Sequence, residues 1–189
     1  MKVIGIKENY PSISEQSNLN VFLMADSSLA KSGKPWFLPE YAESFHYNTH
    51  IVFRIGRLGK NIAKRFASRY VDAVTIGASV HATGLPDGAL SQAFDGAAMI
   101  GEFISIDEIN DINNIVGSLS VNGENATNLN TADMICKIDE LIEYLSKYFT
   151  LKIGDIIYSG FGDNSTKLSI GQTLCGTING NEVLNIKIK

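Results

Sequence analysis

The stretch HYNTHIVFRIG, residues 46–56, contains two of the three histidines in the chain, at positions 46 and 50. On a helix, this spacing would place both imidazoles on one face, where they could hold a transition metal. The residues that follow are mostly β-branched or aromatic, which favours a strand over 47–55. A strand would instead direct His46, Asn48 and His50 to one face of a sheet. We therefore predict a polar strand face here and no helical metal clip.

The third histidine, His81, follows Ser79 by two residues in a second apolar run that predicts a strand over 71–80. If the two strands are neighbours, His50 and His81 could together hold Zn²⁺, Ni²⁺ or Cu²⁺. No carboxylate or thiolate is placed in the sequence to complete such a site. The alternative is that both imidazoles are hydrogen-bonded polar groups of a pocket, which is the commoner role of histidine on a strand.

Composition limits the possible partners. The 189 residues fit one domain, 1–189, and a net charge of −4 with scattered lysines and arginines disfavours binding to nucleic acid. The two cysteines, Cys136 and Cys175, are far apart and are predicted to be core residues without a disulfide. No apolar stretch is long enough to span a membrane, and the N-terminus does not resemble a signal peptide, so we expect a soluble, cytoplasmic protein.

The elements that must position these side chains are mostly strands. Two Asn-Gly pairs, at 122–123 and 179–180, predict type I′ hairpins, and strands are predicted at 2–6, 20–24, 97–106, 155–159 and 172–178. Helical periodicity predicts helices over 61–70 and 139–149, and the residues at 9–20 and 83–88 are predicted to be loops. The predicted class is α+β, mostly β, with two or three helices.

Seven segments, in this order and spacing, resemble the fumarylacetoacetate hydrolase family over nearly the whole chain. They are VIGIKENY (3–10), VFLMADSSL (21–29), HYNTHIVFRIGRLGKNI (46–62), AFDGAAMIG (93–101), VNGE (121–124), the stretch 130–160 and the closing hairpin. The resemblance implies a rolled mixed β-sheet, a homodimer and a pocket that receives a small organic acid. It also implies Mg²⁺, Mn²⁺ or Ca²⁺, which family members use to hydrolyse, decarboxylate or isomerise 2-oxo acids and enolised dicarbonyls.

The residues at the three family metal-ligand positions depart from the family pattern. The family strand reads H-Y-E-x-E, and this chain has Asn48 and His50 where the two glutamates are expected. Ser79 replaces the aspartate of the family segment G-x-D-x-T-A-R-D, and His81 replaces its threonine. An amide, an imidazole and a hydroxyl carry no negative charge at neutral pH. We therefore expect no metal cofactor in this chain.

Three further residues are candidates for the pocket by the same resemblance. Gln92 stands in place of a lysine, and Phe161 in place of a threonine. Tyr10 matches the family's Asn-Tyr pair and could line the pocket, although a buried tyrosine with a bonded hydroxyl is an equally good interpretation.

Three functional hypotheses follow. The first is a family member that has lost metal-dependent catalysis and binds a small molecule or a partner. The second is a hydrolase, isomerase or decarboxylase of 2-oxo or enol dicarboxylic acids, such as fumarylacetoacetate-like or 2-hydroxyhepta-2,4-diene-1,7-dioate-like substrates, with His50 or His81 as general base. The third is a mixed oligomer in which a related subunit supplies the missing carboxylates.

Overall fold

Two long antiparallel strands, β4 (Ser44–Ile55) and β5 (Val71–Thr83), form the centre of the protein. In this computed structural model the described residues are 1–11, 19–85, 88–162 and 165–189. The register of the pair places Asn48 opposite Ser79, His46 opposite His81 and His50 opposite Gly77. The predicted strands at 47–55 and 71–80 are therefore confirmed, and the polar face predicted on the first strand meets polar residues of the second.

The strand pair lies within a nine-stranded mixed sheet. Along its main path the strand order is β2-β1-β10-β4-β5-β6-β3, while β11 pairs with β4 and β7 with β5. β1 runs parallel to β10, and β3 parallel to β6. The bounds are β1 Val3–Lys7, β2 Asn20–Met24, β3 Leu29–Lys31, β6 Ala98–Ile100, β7 Ile104–Ser105, β10 Ile156–Tyr158 and β11 Thr166–Lys167.

A second, four-stranded sheet packs against the first with the order β13-β12-β8-β9. Both of its hairpins turn at the predicted Asn-Gly pairs, with φ of 52° and 86° at Asn122 and Gly123, and 48° and 84° at Asn179 and Gly180. Two successive positive φ angles are the signature of a type I′ turn, so this prediction is confirmed. The bounds are β8 Val116–Val121, β9 Glu124–Asn130, β12 Thr173–Ile178 and β13 Asn181–Lys187.

The described part of the chain has two α-helices, α1 (Lys64–Ala67) and α2 (Ile138–Tyr148). α2 begins where the Glu140 carboxylate accepts the Lys137 N–H at 2.9 Å, and it buries Leu141 and Leu145 against the sheets. Short 3-10 turns occupy 26–28, 68–70, 106–108 and 131–133. The mostly β, α+β class with a curled mixed sheet is confirmed, whereas the organisation as one domain over 1–189 stays a prediction.

The helix predicted over 61–70 is confirmed only from Lys64 onward, as α1 followed by the 3-10 turn over 68–70, and its predicted start is wrong. Asn61 has a φ of 51° and Ala63 is extended, so the helix begins only at Lys64. The N–H groups of Asn61 and Ile62 donate to the carbonyl and hydroxyl oxygens of Ser146 in α2. Hydrogen bonds to a neighbouring helix thus replace the local ones that the periodicity predicted.

The strand predicted over 97–106 is broken in the middle. The Gly101 N–H donates to Ile76 O of the first sheet, and the Glu102 N–H donates to Val183 O of the second. A side chain at Gly101 would lie 2.6 Å from Thr75 Oγ1 and 2.7 Å from Val183 O. The chain crosses between the sheets at this point, which hydrophobic periodicity does not reveal.

Three smaller predictions concern the cysteines, two loops and the absence of membrane-spanning segments. Cys136 and Cys175 are both free, as predicted, but they are only partly buried. Residues 12–18 of the loop predicted over 9–20, and residues 86–87 of the loop predicted over 83–88, lie outside the described residues. Within the described ranges, every helix is too short or too polar to cross a membrane.

Candidate functional site

A cavity of about 270 Å³ lies where β1 ends beside β4 and β5. Five of the residues that the sequence analysis selected line it: Asn48, Ser79, His81, Gln92 and Phe161. Asn48 and Ser79 meet because they are register partners, and Phe161 follows the end of β10, which pairs with β4. The fold therefore gathers residues from distant parts of the sequence around one small cavity.

His50 lies beneath this cavity, and it is fully buried. Its Nε2 is 2.8 Å from Ser79 Oγ, and its Nδ1 accepts the Gly160 backbone N–H at 3.3 Å. The rings of Tyr158 and Phe161 meet the imidazole edge-on, with centroid separations of 5.3 and 5.2 Å. Polar partners at both nitrogens and aromatic neighbours therefore enclose the ring.

These hydrogen bonds fix the protonation state of His50. A backbone N–H can only donate, so Nδ1 is the acceptor and the proton of the neutral ring sits on Nε2, from which it is donated to Ser79. Burial lowers the pKa of the imidazole to about 3, because the charged form would lose its hydration. His50 is thus a neutral structural donor at physiological pH.

His81 contacts His46 and not His50. The two rings stack at a centroid distance of 5.5 Å with an interplanar angle of 22°, as expected for register partners. Burial lowers the pKa of His81, and the nearby His46 and Lys7 lower it further. His50 sits opposite Gly77, four residues before His81, which corresponds to about 13 Å along the strand. The alternative of a His50–His81 metal pair is therefore excluded, because the register separates the two rings.

Tyr10 packs into the hydrophobic core, where it is 5% exposed. Burial raises the pKa of its phenol. Of the two interpretations open at the sequence level, a pocket residue or a buried tyrosine with a bonded hydroxyl, the structure matches the burial, but the hydroxyl has no hydrogen-bond partner among the described residues.

Sequence reasoning missed six other residues that line the cavity: Lys7, Glu8, Phe22, Val80, Gly162 and Ser165. The Lys7 ammonium lies 5.9 Å from the centre of the Phe22 ring. Lys7 and Glu8 belong to the KENY segment used for the family resemblance, so two adjacent charged residues beside a matched Asn-Tyr pair were the available signal.

The residues present do not fit a hard divalent cation. Mg²⁺, Mn²⁺ and Ca²⁺ favour several carboxylate ligands, and Glu8 is the single carboxylate among the described residues that line the cavity. Of the three family ligand positions, Asn48 offers only an amide, while His50 and Ser79 are hydrogen-bonded to each other. In the ranges that the structure describes, no three His, Cys, Asp or Glu side chains are grouped to hold a metal ion. We therefore assign no step at this site to a metal.

The curled mixed sheet, with a cavity lined by residues of β4, β5 and the end of β1, identifies the class of protein. It has the fold of fumarylpyruvate hydrolase from Pseudomonas aeruginosa, solved with Mn²⁺ and pyruvate, with a TM-score of 0.90 at 21% identity, covering 100% of this chain and 89% of that one. The family model described as the C-terminal domain of fumarylacetoacetate hydrolase matches residues 2–183. The chain belongs to the fumarylacetoacetate hydrolase family.

Two relatives with assigned activities are similar in sequence. The chain is 28% identical to maleylpyruvate hydrolase of Aquipseudomonas alcaligenes over 89% of its own length, but it spans only 59% of that protein. It is 29% identical to the oxaloacetate tautomerase YcgM of Escherichia coli over 94% of this chain and 84% of that one. Relatives therefore include hydrolases and tautomerases of oxo acids. The homodimer and the small organic acid remain predictions.

Proposed function

We propose that this chain is a fumarylacetoacetate hydrolase family member that binds a small organic acid without a divalent metal, its metal-dependent catalysis having been lost. The observation that carries the proposal is the state of His50, which stands at a family ligand position with both ring nitrogens occupied by Ser79 and Gly160. A metal ion needs a free lone pair, and neither nitrogen has one to offer.

Of the two charged residues that line the cavity, Lys7 and Glu8, it is Lys7 that supports an anionic ligand. The Lys7 ammonium lines the cavity, and the amides of Asn48 and Gln92 add neutral polar groups. An ammonium paired with a carboxylate gives a strong, charge-assisted hydrogen bond. Without a cation to neutralise a 2-oxo acid, Lys7 takes over that role. The small cavity volume also suits an acid of few carbon atoms.

Calorimetry of the full chain tests this proposal. Titration with millimolar Mg²⁺ or Mn²⁺ is expected to give no binding heat, whereas oxaloacetate is expected to bind with the same affinity in the presence and absence of a chelator. Stoichiometric binding of either metal, or loss of oxaloacetate binding on chelation, would overturn it.

A second candidate function is an isomerase, hydrolase or decarboxylase of 2-oxo or enol dicarboxylic acids with a remodelled site. The observation that favours it is His81, which lines the cavity and whose pKa is lowered, so that the ring is a neutral base at pH 7. Keto-enol interconversion needs only proton transfer, and a relative is named as an oxaloacetate tautomerase. His50 is a poor candidate for the base because its nitrogens are occupied.

Conversion of the enol form of oxaloacetate, followed by its ultraviolet absorbance, tests this candidate. His81→Asn is expected to reduce the rate at least tenfold. His46→Asn, which also removes one ring of the stacked pair, is the matched control and should retain the rate. Equal rates in wild type and His81→Asn would remove the enzyme hypothesis, as would a rate equal to that without protein.

A further inference from the structure

Glu8 is the first residue after β1, and its backbone has a φ of 45°. Residues other than glycine seldom adopt positive φ, and those that do are most often Asn, Asp or His. In a continuing strand, Lys7 and Glu8 would point to opposite faces of the sheet. The left-handed turn at Glu8 ends that alternation, and both residues line the same cavity.

The next residue holds this turn in place. Asn9 is fully buried, and its backbone N–H donates to Phe161 O at 3.1 Å. Its side-chain amide donates to the carbonyls of Ser159 and Cys136, and its side-chain oxygen accepts the Cys136 N–H. Because these bonds tie the turn to distant parts of the chain, the backbone position from which the Glu8 side chain extends is fixed before a ligand arrives.

One oxygen of the Glu8 carboxylate lacks a hydrogen-bond donor in the part of the chain that the structure describes. This oxygen, Oε2, is buried and has no partner among the residues that the structure describes. Lys7 does not supply one, since the ion pairs found in those residues involve neither side chain. A buried acceptor without a donor is unfavourable, and a carboxylate more so than a neutral group. A ligand that brings a donor into the cavity can therefore gain from Glu8.

We propose that Glu8 makes this cavity selective for acids with an O–H or N–H donor on the carbon next to the carboxylate, that is, 2-hydroxy acids, 2-amino acids or the enol form of an oxo acid. Lys7 receives the ligand carboxylate, and Glu8 receives the donor. A 2-oxo group offers only an acceptor and faces the Glu8 carboxylate unfavourably. This inference rests on the proposed function, because it assigns the ligand of the same site.

Four ligands with three carbon atoms isolate the effect: pyruvate, L-lactate, D-lactate and L-alanine. In calorimetric or ligand-observed NMR titrations of the full chain, at least one donor-bearing acid is expected to bind tenfold or more tightly than pyruvate. Lactate and alanine together distinguish a neutral from a charged donor. Pyruvate binding as tightly as the best of the other three, or more tightly, overturns the inference.

Two variants place the preference on Glu8. Glu8→Gln converts one carboxylate oxygen into a donor, so the affinities for the best donor-bearing acid and for pyruvate should differ by no more than about twofold. Glu124→Gln, on an exposed hairpin, is the control and should leave the ratio of these affinities unchanged. Glu8→Gly removes the carboxylate and suits the positive φ, so it should fold with an unchanged or higher melting temperature and show no preference. An intact preference in Glu8→Gly overturns the inference.

The same titrations separate the two proposals. If none of these acids and no oxaloacetate binds, the proposed function fails, and the inference fails with it. If all the acids bind with equal affinity, only the inference about Glu8 fails, and the metal-free binding site stands.

Discussion

Nε2 of His50 donates its proton to the hydroxyl oxygen of Ser79 across 2.8 Å. In the family pattern these two positions carry carboxylates, which would repel each other unless a cation lay between them. Here a neutral donor and a neutral acceptor replace two like charges. The pair is therefore stable by itself, and the first sheet does not need a metal ion to hold β4 and β5 together at this point.

The neutral state of His50 predicts how stability depends on pH. The folded-state pKa is about 3, against 6.5 for an unperturbed histidine, so below pH 6.5 the unfolded chain binds a proton that the folded chain does not. The contribution of His50 to the free energy of unfolding is complete above pH 6.5 and is lost as the pH falls towards 3, by up to about 1.4 kcal/mol per pH unit. Urea unfolding between pH 7.5 and 4.5 measures it. In His50→Gln, the free energy of unfolding should change less steeply with pH, by the amount that corresponds to about one proton. Equal pH dependence in the variant and the wild type would contradict the prediction.

Restoring the family carboxylates should restore a metal site. The triple variant Asn48→Glu, His50→Glu, Ser79→Asp places three negative charges around the cavity floor, where they repel one another without a cation. We expect its melting temperature to fall below that of the wild type and to recover on addition of Mn²⁺. The wild type should show no Mn²⁺-dependent shift. The measurement is thermal unfolding with and without Mn²⁺. If Mn²⁺ raises the melting temperature of the wild type as much as that of the variant, the wild type has not lost its metal site.

Gly160 is required for its close approach to Asn9. Its φ is 116°, and a Cβ built there would overlap the side chain of Asn9. Gly160→Ala is expected to cost roughly 3 kcal/mol, from the left-handed backbone together with overpacking. Gly171→Ala is the control, because Gly171 has a φ of 91° with open space around it, and it should cost only about 1 kcal/mol. Denaturant unfolding compares them, and equal costs would refute the steric argument.

Lys7 should account for much of the affinity for an anionic ligand. Lys7→Met keeps most of the apolar stem but removes the ammonium, so binding of oxaloacetate is expected to weaken roughly tenfold. Added salt should weaken binding to the wild type more than to the variant, because it screens the charge. Lys34→Met, at an exposed site, is the matched control. Calorimetry at two salt concentrations provides the measurement, and an unaltered affinity would exclude Lys7 as the carboxylate partner.

Much of the fold could be predicted because its signals are local. The β-branched runs gave β4 and β5, and the Asn-Gly pairs gave both type I′ hairpins, since each depends on residues that are adjacent in sequence. The helix predicted from residue 61 failed where Ser146, far away in sequence, supplies the hydrogen bonds. Periodicity contains no information about such distant partners.

In the candidate site, too, the features that depend on adjacent residues could be predicted, and those that depend on distant contacts could not. Alternation on the strand placed His46, Asn48 and His50 on one face, but only the register showed that His81 meets His46. The charges of Lys7 and Glu8 could be seen in the sequence, but the turn that brings Glu8 to the cavity could not, because it depends on hydrogen bonds between Asn9 and residues 136, 159 and 161.

The bonds between Asn9 and Ser159 also have a consequence for folding. They join residues 150 positions apart, and the cavity combines Lys7 with Phe161 and Ser165 across a similar separation. Contacts between such remote residues form slowly, because a long chain segment must be closed before they give any stabilisation. During synthesis, the ribosome must release the residues around 160 before the first ten can adopt their final positions. The growing chain should therefore acquire ligand binding among the last of its properties. A chain that binds the ligand has brought its first residues and those around 160 together.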